Sequence, residues 1–262
     1  MAAVRSVWAD SFAAESAVLC DVATRATHVA FNVQYPGCIV PGFGGGQKHY
    51  TALDADERYA HVQANVNPLQ PLQVGLAVRT DDGRLLAWEF NLSNFDIATD
   101  GVYRCAPDSV AYLANRGVDF WRLKYDGVPG YRLRWLLRDS GLIRARPRWA
   151  TFAGAFHVAY LLKIMVGEYL PAGLDGFMGL VRDKIGANVY DVKLMAREHD
   201  QGCRGPLKLI AKQLGVAPTE GEVKGLAGAA AVLALQSFEV LKAKLGNKAD
   251  EYCNKLCGLQ TF

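Results

Sequence analysis

The chain has 262 residues, 51% of them hydrophobic, and a formal net charge of +3. That length builds one large domain with a substantial core, and no change of composition marks a second, so residues 1–262 are expected to form a single domain. The longest apolar run, 226–235, is diluted by alanine and glycine and is too short for a bilayer. Arg5, Asp10 and Glu15 stand where a signal peptide needs an apolar run, so a soluble intracellular protein with no membrane partner is expected.

Along the chain, Ser11 is placed to cap a helix reaching about Thr24. The stretch THVAFNVQYPGCIV (27–40) then reads as a buried strand, Val29 to Val33, entering a turn at Pro36-Gly37. Asn32 and Gln34 are two apart and share a strand face. As Asp and Glu they would make a metal-binding nuclease motif; here they are neutral. VPGFGGGQ (40–47) reads as a flexible loop, and its glycines lack the Gly-Lys-Ser/Thr of a phosphate loop. A helix fits 55–66. LQVGLAV (72–78) and LLAWEFNL (85–92) flank Asp82-Gly83 as a β-hairpin. Helices are then expected at about 107–116, 130–140, 154–166, 173–185, 188–197, 205–213 and 221–244, with a short strand at 149–153. Early strands, late helices and a return from strand to helix suit an α/β fold, a mixed sheet flanked by helices.

The side chains that usually carry chemistry are sparse. Six scattered cysteines in a long chain read as reduced thiols. Cys253 and Cys257, four apart, would share a helix face, and without a second pair they read as stray helix cysteines rather than a zinc site. His49 and His61 read as surface residues. His199 lies beside Glu198 and Asp200, but a loop without cysteine partners makes a poor metal site, and no serine sits in a Gly-x-Ser-x-Gly elbow.

Charge is distributed unevenly. Residues 116–148 hold nine Arg and Lys against Asp119, Asp126 and Asp139, a net +6, so the remainder sums to −3. Phe120, Trp121, Tyr125, Tyr131, Trp135 and Trp149 are interleaved or adjacent. Basic groups such as Arg132, Arg134, Arg138, Arg144, Arg146 and Arg148 can pair with phosphates while exposed rings stack on bases. The plainer reading puts the rings in the core and leaves the arginines as a solvated helix face.

The order of segments resembles the CAF-one ribonuclease family, the Pop-type deadenylase subunits of the CCR–NOT messenger-RNA decay complex. The resemblance covers nearly the whole chain. It rests on VWAD (7–10), VAFNVQYPG (29–37), YAHVQANVNPLQPLQVGL (59–76), WEFNLSNF (88–95), DSVAYLANRGVDF (108–120), LLRDSGLI (136–143), WATFAGAFHVAYLLK (149–163) and NVYDVKLM (188–195). It implies a ribonuclease H-like fold with DEDD exonuclease chemistry. There, acidic side chains hold two Mg²⁺ or Mn²⁺ ions that activate the attacking hydroxide and stabilise the leaving oxygen, and a histidine serves as base.

Position by position, that resemblance loses the chemistry. The family's Asp-Thr-Glu falls on Asn32, Val33 and Gln34, and its second aspartate on His157. Its third falls on Asp191, and its final histidine and aspartate on Gly225 and Ala230. Of these positions only Asp191 keeps its type, so no metal cofactor is expected; a softer ion such as Zn²⁺ between His157 and Asp191 is a weak alternative. The resemblance then implies an inactive homologue of a poly(A)-specific 3′-exoribonuclease, in cytoplasm or nucleus, docking on the NOT scaffold and competing with active paralogues. The alternatives are an exoribonuclease remodelled around His157, Asp191 and Glu222, or a non-cleaving RNA-binding protein.

Overall fold

A computed structural model describes residues 3–40, 52–99, 105–200, 203–216 and 226–260. The glycine loop from 41 onward, His49, Glu222 and Gly225 lie outside the described residues. At its centre is a six-stranded mixed sheet in the order β1-β4-β3-β2-β5-β6. Strands β2 (Ala26–Gln34), β3 (Gln73–Thr80) and β4 (Leu85–Asn91) form the antiparallel centre. The Asp82-Gly83 turn joins the last two, with Gly83 at φ 83°, where glycine costs least. β1 (Val4–Val7) lies parallel to β4, β5 (Arg148–Thr151) parallel to β2, and β6 (Val189–Asp191) parallel to β5.

Strand alternation divides the core between the two faces. Val29, Phe31, Val33, Val74, Leu76 and Trp149 pack on one side beneath α1 (Phe12–Ala23), α2 (Ala55–Val66), α5 (Gly130–Asp139), α6 (Gly154–Val166) and α7 (Leu174–Lys184). Ala30, Ala77, Ala87 and Ala150 form the other side under α8 (Val192–His199), α9 (Leu207–Gln213) and the long α10 (Ala227–Leu245). Alanines on that face let α10 lie close to the sheet. At Gly75 the approach is closer still, since a Cβ there would sit 1.9 Å from the Ala227 carbonyl oxygen. A smaller cluster holds Leu113, Phe120 and Leu123 of α3 (Pro107–Asn115) and α4 (Phe120–Asp126) against Leu72 and Phe95.

The structure corrects several expectations. Residues 188–197 are a strand followed by a helix, because Val189–Asp191 pairs with the free edge of β5 before α8 begins. Cys253 and Cys257 lie after the 3₁₀ segment Gly246–Tyr252, outside any helix, and no cysteine forms a disulfide. Ser11 occupies the N-cap of α1, yet its hydroxyl accepts from the Trp8 N–H rather than from the helix. His61 is buried, edge-on to Phe156, although its helix is polar in sequence. Strand β1 and helix α4 are additions.

A neutral candidate site at the end of strand β2

Strand β5 pairs with β2 only as far as Ala30 and Ala150. Beyond that point the β2 edge is open, and the Val33 N–H donates to His157 Nδ1 at 3.2 Å. His157 reaches it from the first turn of α6, which begins where Ala153, at φ 53°, turns the chain out of β5. On the same stretch of β2, the Asn32 amide lies 3.2 Å from His157 Nε2 and 3.0 Å from the Gln34 amide. The structure therefore brings Asn32, Gln34 and His157 together.

Their hydrogen bonds fix their protonation. The Val33 N–H can only donate, so Nδ1 is an acceptor and the neutral ring carries its proton on Nε2. As placed, Asn32 Nδ2 faces Nε2 and Gln34 Nε2 donates to Asn32 Oδ1; because Nε2–H needs an acceptor, we assign both amides turned over, with the Asn32 oxygen toward Nε2 and the Asn32 N–H toward the Gln34 oxygen. Burial pushes the imidazole down to about 4, so the whole chain of groups is uncharged at neutral pH.

Asp191 stands apart from them. It pairs with Thr151 at the end of β6, two strands from β2, and alternation places it with Val189 and Trp149 on the face opposite Asn32. Its Oδ1 accepts from the Ala153 and Lys193 N–H groups at 3.1 and 3.0 Å. Its Oδ2 accepts from Gly154 and Cys257 at 2.7 and 2.9 Å. One buried carboxylate thus caps both α6 and α8. Burial pushes it up while these four donors pull it down. Gly154 makes the approach possible, since a Cβ there would press on Thr151 and on Asp191 Oδ2. Asp191 thus meets the N-terminus of α6, the helix that carries His157, through the backbone amides of Ala153 and Gly154. Ala230 lies one turn into α10, on the Asn32 side of the sheet.

The residues present do not fit a two-cation centre. Mg²⁺ and Mn²⁺ need several hard anionic oxygens, and Asn32, Gln34, His157 and Ala230 supply none. His157 has no lone pair to offer: Nδ1 is engaged by Val33 and Nε2 carries the proton. Both Asp191 oxygens already accept two amides each, which also disposes of a zinc ion between them. Among the described residues, no three His, Cys, Asp or Glu side chains are grouped to hold a metal.

The arginine-rich stretch is dispersed by the fold. Arg132 stacks on Phe12 at 4.6 Å, Arg134 donates to the Ile164 carbonyl at 2.9 Å, and Arg138 pairs with Asp139. Arg144, Arg146 and Arg148 are exposed. The rings divide differently from the plainer expectation. Phe120 and Trp149 are buried, but Trp121, Tyr125, Tyr131 and Trp135 are 55, 70, 46 and 51% exposed. Trp121 stacks on Tyr125 at an interplanar angle of 10°, and Tyr131 meets Trp135 edge to face.

Sequence reasoning missed a second polar group, Gln73, Glu89 and Asn91, all buried on the Asn32 face. Glu89 accepts from the Gly228 N–H at 2.9 Å and from the Leu226 and Ala227 amides, capping α10. The period-2 alternation of WEFN was the available signal, because it sets Glu89 and Asn91 on the face opposite Trp88 and Phe90.

Comparison with known proteins agrees with this fold. The family profile described as "CAF1 family ribonuclease" matches residues 7–134. The "CCR4-NOT transcription complex subunit 7" of Caenorhabditis elegans is 30% identical over 240 residues, covering 88% of this chain and 74% of that protein. The "Probable CCR4-associated factor 1 homolog 7" of Arabidopsis thaliana is 28% identical, over 81% of this chain and 78% of its own. The Mg²⁺- and Mn²⁺-bound structure of S. pombe Pop2p superposes with a TM-score of 0.82 at 25% identity, covering 98% of this chain and all of that one. The ribonuclease H-like sheet, the order of elements and these likenesses converge: the chain belongs to the CAF1 ribonuclease family.

Proposed function

We propose that this chain is a non-cleaving member of its family that works by binding. The observation that carries the reading is the uncharged chain Gln34–Asn32–His157, in which each group is satisfied by its neighbour and none presents an anionic oxygen to a cation. Metal-assisted hydrolysis of a phosphodiester needs charge stabilisation of several kcal/mol at the developing oxyanions, and Asn32, Gln34 and His157 supply none. The name of the C. elegans relative supports a place on a NOT scaffold, where this chain would compete with active paralogues in cytoplasmic or nuclear mRNA decay.

A second reading, a non-cleaving RNA-binding protein, is favoured by the four exposed rings set among basic residues on α4 and α5, since such rings stack on bases of any sequence. One assay tests the shared premise. A poly(A) oligonucleotide incubated with the protein and millimolar Mg²⁺ or Mn²⁺ keeps its length; metal-dependent laddering overturns the proposal. Association with a purified NOT scaffold fragment at micromolar concentration supports the first reading, and its failure leaves the second.

A further inference from the structure

Asp191 draws three chain segments together: the N-termini of α6 and α8, and the stretch at Cys257. The residues that border this junction on one side are small, namely Ala153, Ala155, Gly205 and Gly258. Small residues cannot fill the space between two helix ends, and a cavity of about 660 Å³ opens there. That volume is within the range of roughly 300–1,000 Å³ typical of small-molecule sites.

The interior is apolar. Phe156, Cys203 and Cys257 complete its lining. Burial pushes both thiols up, so they stay neutral at physiological pH and behave as small, polarisable apolar groups. The backbone N–H groups of Ala153, Gly154 and Cys257 all donate to Asp191. A polar ligand edge would find those donors taken. An aliphatic chain gives up no hydrogen bond on entering, and each methylene it buries is worth about fourfold in affinity.

The rim is cationic. Lys193, Arg197 and Arg204 edge the cavity, and among the described residues no acid lines it. Lys193 and Arg197 are four apart on α8 and share a helix face, where like charges destabilise unless an anion lies between them. Of the acids nearby, Glu198 pairs with Arg197 at 3.1 Å and Asp200 is exposed. Asp191, behind the wall, has its charge met by four amides. Three cations against Glu198 and Asp200 leave a surplus of one. That surplus suits a single carboxylate better than a doubly charged phosphate.

We propose that this cavity binds a medium-chain fatty acid, with its carboxylate at Lys193, Arg197 and Arg204 and its chain against Ala155, Phe156, Cys203 and Cys257. Phe156 also stacks on Tyr35 at 5.5 Å, so an occupant touches the ring that ties this cavity to the end of β2. The site holds whether or not poly(A) is cut, and it does not rest on the scaffold reading.

The test is calorimetric titration of the full chain with decanoate, octanoate, decyltrimethylammonium and AMP, each kept below its micellar range. Decanoate is expected to saturate at one per chain. Octanoate, two methylenes shorter, should bind about fifteenfold more weakly. Decyltrimethylammonium, with the same chain and the opposite charge, should be at least tenfold weaker than decanoate. Lys193→Ala with Arg204→Ala, both exposed, should weaken decanoate at least tenfold without changing the melting temperature. Saturating decanoate should also slow alkylation of Cys257 by iodoacetamide at least tenfold while the exposed Cys20 reacts as before, read by peptide mass mapping. No saturable binding of decanoate up to millimolar concentration overturns the proposal. So does AMP binding as tightly as decanoate, indifference to head-group charge or to the paired substitution, or an unprotected Cys257.

Discussion

The clearest quantitative consequence of the neutral site is a pH dependence carried by His157. Its ring is held in the neutral form, down to about 4, by burial beside the Val33 amide, whereas in the unfolded chain it titrates near 6.5. Because the folded value is the lower one, the unfolded chain takes up the proton first. Stability is therefore whole above about 6.5 and falls as pH drops toward about 4, below which both states are protonated and the loss stops. Over that window, at roughly 1.4 kcal/mol for each pH unit, the loss from this residue is about 3 kcal/mol. His28 and His61 are pushed down by burial as well and contribute in the same direction, so the parent curve alone does not isolate His157. The measurement is urea unfolding of the parent and of His157→Gln from pH 7.5 to 4, subtracting one stability curve from the other. The difference should change by about 3 kcal/mol across the window, and the His157 ring should titrate well below 5 by NMR. A flat difference, or a ring that titrates near 6.5, refutes the protonation scheme and with it the argument that Nε2 carries the proton.

Two further variants probe the acids. Asp191→Asn places an NH₂ group against two backbone N–H donors, and losing those two bonds should cost about 4 kcal/mol and lower the melting temperature by about 10 °C in a thermal scan. An unchanged melting point would mean that the cap contributes little. Asn32→Asp with Gln34→Glu sets two like charges where the amides now meet at 3.0 Å. In chelator the double variant should be less stable than the parent by about 1 kcal/mol, and it should still leave poly(A) intact, because His157 and Ala230 supply no acid. Poly(A) shortening by the double variant would show that the remaining positions are better furnished than the geometry implies.

Much of the fold could be read from local chemistry. The Asp82-Gly83 turn placed β3 and β4, and Asp54 with Glu57 forms the capping box that starts α2 at the expected Ala55. What escaped depended on distant partners. Val189–Asp191 is too short to announce itself and becomes a strand only because β5 has a free edge. Helix α4 escaped because its two largest rings face outward, which breaks the apolar stripe that marks a helix. At the site, sequence placed Asn32, Gln34 and His157 together but gave no sign of which way Asp191 points. Residue type can be read along a chain; the direction of a side chain at the junction of a strand and two helices follows from the sheet register.

That direction gives Asp191 a structural duty whatever the chemistry of the site. Among the described residues the buried carboxylates are Glu89 and Asp191, on opposite faces of the sheet. Each is met by backbone amides at helix N-termini, Glu89 at α10 and Asp191 at α6 and α8. Amide donors and the positive end of a helix compensate a buried negative charge without a cation. A carboxylate so engaged is required by the fold whether or not a phosphodiester is ever cut. Acids facing a metal centre have no such second duty. Without cations they repel one another in a poorly solvated place, so neutral amides and a neutral imidazole there remove repulsion and leave the strand in position. Asp191 is therefore accounted for by the fold, and its presence is no measure of activity.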